Sequence, residues 1–203
     1  VIQGKRKIIL KEGVPVEVIS VLGGEVQTTI ALVGRASKQF NNTASLESHR
    51  RGHFLPEITV DSGYIIHNLV TDDYYIVVST YDEVIENQKA ATVAHMVRSN
   101  GVIDVSGEVE VADENGNIKK LAQIKYADLR VYAQGITFDL MQYQPGFFAD
   151  SKFILYAPGV DINILDRIVF KVGGRQIPLK VTTTDYISYP GLVLIQVHAE
   201  TRR

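Results

Sequence analysis

"FLPEITVDSGYIIHNLVTDDYYIVVSTY" (residues 54–81) can be laid over "YAPGVDINILDRIVFKVGGRQIPLKVTTT" (residues 156–184) so that one pattern is written twice. Setting Pro56 on Pro158 gives an offset of 102 residues and places Ile66 on Ile168, Val70 on Val172 and Thr80 on Thr182. A two-residue turn at Thr71-Asp72 then meets Gly173-Gly174, and Ala91, Val93 and His95 meet Val193, Ile195 and Val197. Apolar spacing and turn position recur, whereas residue identity is low. A duplicated domain and a pair of similar hairpins both produce this pattern, and both divide the chain into halves of comparable size.

Working outward, alternating or β-branched runs bounded by Gly, Asn and Asp dominate the chain. They predict strands near 6–11, 15–22, 25–34, 64–70, 74–80 and 90–97, then near 102–112, 118–125, 128–133, 166–172, 176–182 and 192–199. Gly23-Gly24, Asn115-Gly116 and Gly173-Gly174 supply residues that tolerate the positive φ of tight hairpins. Helical periodicity is thin, with two turns after a Thr43 cap in "TASLESHRR" (43–51) as the one candidate. The expected fold is all-β: two small antiparallel β-barrels or sandwiches in tandem, residues 1–100 and 101–203, with long inter-strand loops.

At 203 residues, 45% hydrophobic and 22% charged, the chain has globular composition and length enough for one large β domain or two of about half its size. It has no cysteine, which removes disulfides, thiolate metal sites and cysteine nucleophiles together. No apolar run reaches the roughly 20 residues of a membrane span, and "VIQGKRKIIL" lacks the apolar stretch of a signal peptide, so no membrane partner and a soluble protein are expected. Because the first residue is Val, the sequence leaves open whether residues precede it. A net charge of −2 argues against a dedicated nucleic-acid binder while permitting local basic clusters.

The search for chemistry returns little. His49 and His53 stand at i, i+4, a metal-ligating spacing on a helix, but Gly52 and the Arg50-Arg51 pair favour a solvated basic loop. Asp72-Asp73 read as turn residues and Asp82-Glu83 as the end of a strand, so neither acid pair converges on a substrate. There is no G-x-S-x-G turn and no phosphate-binding glycine loop. No enzyme, metal or cofactor is expected. "NNT" (41–43) matches a glycosylation acceptor that matters only in a secreted chain. Two long connections stand out. Residues 36–54 carry Lys38, His49, Arg50, Arg51 and His53, a flexible cationic loop suited to a polyanion; residues 133–153 carry Tyr143, Phe147 and Phe148, aromatics suited to a protein interface.

"P…GYIIHNLVTDDYYIVVSTYDEVIENQKAATVAHMV" and "PGVDINILDRIVFKVGGRQIPLKV…PGLVLIQVHA" resemble, each over about 45 residues, the C-terminal half of the small barrels in tailed bacteriophage head closure proteins, also called stopper or neck proteins. The resemblance implies a structural virion component assembled in the host cytoplasm. It would form a homo-oligomeric ring between the portal-adaptor complex and the tail, with loops narrowing or closing the channel and touching packaged DNA transiently. Single-barrel members are usual, so a tandem pair leaves the ring stoichiometry open. A tail terminator or tail-tube subunit is the neighbouring alternative. Outside the virion, the alternative is a non-enzymatic binding module of two OB-like or sandwich domains for nucleic acid or carbohydrate. That module calls for aromatics alternating with Lys and Arg, and Tyr74, Tyr75 and Tyr81 have no basic residues among them.

Overall fold

The computed structural model describes residues 2–36, 48–112, 118–136, 151–164 and 166–200. Among these described residues are one helix, α1 (Ile2–Glu12), and twelve strands. The first six are β1 (Val14–Ile19), β2 (Val26–Arg35), β3 (His49–Phe54), β4 (Ile65–Asn68), β5 (Asp73–Ile85) and β6 (Gln88–Arg98). The second six are β7 (Gly101–Ala112), β8 (Ile118–Gly135), β9 (Phe153–Pro158), β10 (Arg167–Val172), β11 (Arg175–Asp185) and β12 (Leu192–Ala199). Each set closes into a six-stranded antiparallel barrel, ordered β1-β2-β3-β6-β5-β4 and β10-β11-β12-β9-β8-β7. Read around the ring from β7, the second order is β7-β8-β9-β12-β11-β10, which is the first repeated strand for strand. The all-β tandem-barrel expectation therefore holds, with six strands per barrel in place of the five of an OB-fold.

The correspondence extends to detail. β4 begins at Ile65 and β10 at Arg167, β5 at Asp73 and β11 at Arg175, both 102 residues apart. Ile66 faces Tyr75 across its hairpin and Ile168 faces Leu179, and all four are buried. The fifth strand of each barrel carries a one-residue bulge against the sixth, at Val78 and at Thr182. The hairpin turns themselves differ. Gly173-Gly174 form the expected two-residue turn with φ of 53° and 75°, but the first barrel uses four residues, Leu69–Asp72, in place of the two expected at Thr71-Asp72. Asn68 organises that longer turn by accepting from the Val70 and Thr71 backbone N–H groups at 2.9 and 3.3 Å.

Five other expectations need correction. Residues 6–11 form part of α1: Ile9 is buried while Ile8 and Leu10 are exposed, and Lys5 and Arg6 bind Glu83 and Glu57 on the barrel. The helix ends where Gly13 donates to the Ile9 carbonyl at 2.9 Å; a Cβ on Gly13 would lie 2.3 Å from that oxygen, so only glycine lets the chain swing into β1 here. Residues 49–54 are strand, which shortens the first long connection and removes the end of the helix considered over 43–51. Phe153 likewise opens β9. Finally, Gly23-Gly24 sit within a six-residue connection between Ile19 and Val26, and Asp82-Glu83 lie inside β5, which runs on to Ile85.

Two compact units result: Val1–Ser99 with Pro158–Val160 and Tyr186–Leu192, and Asn100–Ala157 with Asp161–Asp185 and Val193–Arg203. Phe54, Ile66, Met96, Val16 and Val77 fill the first barrel, and Ile103, Val131, Leu155, Ile168 and Leu179 are fully buried in the second.

Candidate functional site

The strand assignment of His49–Phe54 decides what its basic residues can do. Alternation sends Gly52 and Phe54 into the barrel and leaves Arg51 and His53 on the outer wall. Gly52 has a packing reason: a Cβ there would lie 2.7 Å from the Phe54 ring and 2.9 Å from the Met96 methyl. β3 runs between β2 and β6, which puts Arg51 beside His95 and His53 beside Val93. The i, i+4 spacing of His49 and His53 separates them by about 13 Å along a strand. No three potential metal ligands converge among the described residues.

β5 and α1 complete a polar cluster. Arg51 donates to the Tyr81 hydroxyl, with its guanidinium carbon 5.6 Å from the centre of that ring. Tyr81 also leans on the His95 ring at 5.8 Å. Lys5 binds Glu83, and His53 Nδ1 lies 3.9 Å from the same carboxylate. Lys5 and His53 thus meet one acid, and Arg51 and His95 meet at Tyr81 close enough to act on His53. The electrostatics follow. Burial lowers the His53 pKa to about 4, helped by Lys5, Arg51 and His95; burial and Arg51 also lower His95 and Lys5. At neutral pH both histidines are therefore neutral and the cluster carries charge through Lys5, Arg51 and Glu83. An apolar groove of about 450 Å³ adjoins it between α1 and the sheet, lined by Ile8, Leu32 and Ile85 beside Lys5, His53 and Glu83.

The remaining basic candidates sit elsewhere. Arg50 donates to the His49 carbonyl at 3.0 Å and acts electrostatically on Tyr75, and His49 has its pKa lowered by burial. Lys38, Tyr143, Phe147 and Phe148 lie outside the described residues. Lys5, Tyr81, Glu83 and His95 are the members that sequence reasoning missed. One signal was available: His95 interrupts the apolar run "AATVAHMV" (90–97).

A second titratable group stands apart. His67 on β4 is held between Glu17 at 3.0 Å and Asp72 at 2.8 Å while stacking flat on Tyr74 at 4.1 Å. Burial alone would lower its pKa, but the two carboxylates together raise it. The bracket joins β1, β4 and the four-residue turn.

No protein-family model matches this sequence, and no curated protein matches it. No described helix is long and apolar enough to cross a membrane.

Proposed function

We propose that this chain is a structural protein of a tailed bacteriophage neck, forming a ring between the portal-adaptor complex and the tail that helps close the DNA channel and attach the tail. The observation that supports it is the pairing of resemblance with architecture. The two stretches that resemble head closure barrels are the final three strands, β4–β6 and β10–β12, of two closed barrels with one strand order. Contact with packaged DNA belongs to the connection before His49 more than to β3, because Arg51 is engaged by Tyr81 within its own barrel.

A tagged copy produced in infected or induced cells should sediment with tailed particles, and gold label against the tag should sit where head meets tail. Label along the tail would point to a tube subunit. Particles that lack the chain altogether would refute a virion role.

A further inference from the structure

At one end of the first barrel the inner faces of β5 and β6 turn polar. Asp82 pairs with Thr92 and Thr80 with Ala94, and Thr92 in turn pairs with Phe54 of β3. Cross-strand partners share a face of the sheet, and Phe54 packs in the core, so Thr80, Asp82 and Thr92 lie on the inward face. β4 does not cover them, since it pairs with β5 only over residues 73–76. The chain leaving β3 turns here, with Ile58 donating to the Leu55 carbonyl at 3.0 Å, and Ile58 and Val60 are buried with the core. Between this connection and the hairpin lies a cavity of about 370 Å³. Ligand sites commonly span roughly 300–1,000 Å³, and the mouth of a β-barrel is one of the places where they form.

The lining mixes donors, acceptors and an apolar floor. Thr92 lines the cavity at only 3% exposure, and its hydroxyl has one partner among the described residues, Asp82 Oδ1 at the long distance of 3.4 Å. Lys89 Nζ holds the same oxygen at 2.7 Å, which leaves Asp82 Oδ2 and the Asp61 carboxylate without partners among the described residues. Pro56, Ile58 and Val60 form the apolar side. A neutral ring carrying neighbouring hydroxyl groups fits this set. One hydroxyl donates to a carboxylate, the next accepts from the Lys89 ammonium, and the C–H face of the ring meets the apolar side. Other classes fit worse. Phosphate or nucleic acid would meet two carboxylates against one ammonium, and no three potential metal ligands converge among the described residues.

We propose that this mouth of the first barrel is a binding site for a neutral saccharide, held through Asp61, Asp82, Lys89 and Thr92. The site goes beyond the neck reading and does not depend on it. Thr92 is the residue that separates a built site from a surface groove, because a hydroxyl this deeply buried with one long hydrogen bond gains from a second partner in the cavity.

The test titrates the full chain with D-glucose, D-galactose, D-mannose and N-acetyl-D-glucosamine while amide resonances are followed by NMR. At least one sugar should shift the amides of 56–61, 80–82 and 89–92 saturably at millimolar concentration. Asp61→Asn disturbs no contact among the described residues, and Lys89→Met and Thr92→Val keep side-chain bulk. Each variant should therefore retain the wild-type circular dichroism while binding that sugar about 10-fold more weakly. Inorganic phosphate and ethylammonium should leave the same amides in place. Absence of saturable shifts with all four sugars, sugar binding that Asp61→Asn and Lys89→Met leave at wild-type strength, or a response to phosphate or ethylammonium as strong as to sugar would overturn the inference. A chain absent from tailed particles that still binds sugar here would lose the neck reading and keep this one.

Discussion

Protonating His53 would add a cation beside Lys5 and Arg51 in a site where burial already disfavours charge. Its folded pKa of about 4 lies below the ordinary 6.5, so between those values the unfolded chain takes up a proton that the folded chain refuses. Stability is therefore fully present above pH 6.5 and falls as pH drops toward 4, by about 2–3 kcal/mol for this residue. His53→Gln should remove that portion of the slope in urea unfolding between pH 7 and pH 4.5; an unchanged slope would count against the cluster. His67 works in the opposite sense. Its raised pKa makes its contribution complete below 6.5 and lost as pH climbs through the folded value, so His67→Gln should flatten stability on the alkaline side of that window. The two histidines were equally visible as letters. What separates them is the company that cross-strand neighbours provide: Glu17 lies 50 residues from His67 and Glu83 lies 78 from Lys5. Arg51 and His53 could be singled out from sequence, but their partners could not.

Among the elements, the β5–β6 hairpin turns on Glu86 and Asn87, both left-handed at φ of 52° and 60°. Gly173 and Gly174 make a two-residue turn of the same left-handed kind between β10 and β11 without steric cost. Glu86→Asn with Asn87→Gly should therefore stabilise the protein by about 1 kcal/mol, read as a raised urea midpoint. The β7–β8 hairpin is anchored by another local arrangement. Lys125 reaches the buried Asp166 at 2.9 Å across Gly107, and Asp166 also accepts from the Asn163 backbone N–H at 2.8 Å. Lys125→Met should cost about 2–4 kcal/mol by leaving a buried carboxylate without its cation, and adding Asp166→Asn should recover much of it. These elements also show where pattern reading works and fails. Hairpins with alternating apolar residues and glycine turns were legible. β3 was not, because "HRRGHF" has only Gly52 and Phe54 facing the core and reads as a polar loop. The helix was misread because "KIIL" carries three consecutive apolar residues, of which packing on the barrel uses one, Ile9.

For the whole molecule, barrel closure separates two classes of backbone. Amides in the portions of the strands that are paired on both sides should exchange slowly with solvent, while those of 107–112 and 118–123, which pair only with each other among the described residues, should exchange faster. Uniform protection of these two segments would contradict their open edges. The common strand order has a kinetic consequence. In each barrel four pairings are between strands adjacent in sequence, and only two, β1 with β4 and β3 with β6 in the first, must wait for distant segments to meet. During that wait a tandem chain offers two acceptors of one shape, and the first three strands of one half could close on the last three of the other. Low identity between the halves, with a four-residue turn facing a two-residue turn and a polar β3 facing an apolar β9, gives each set of strands a reason to refuse the wrong partner. Difference in detail thus protects the folding pathway of a molecule whose two frames share one strand order.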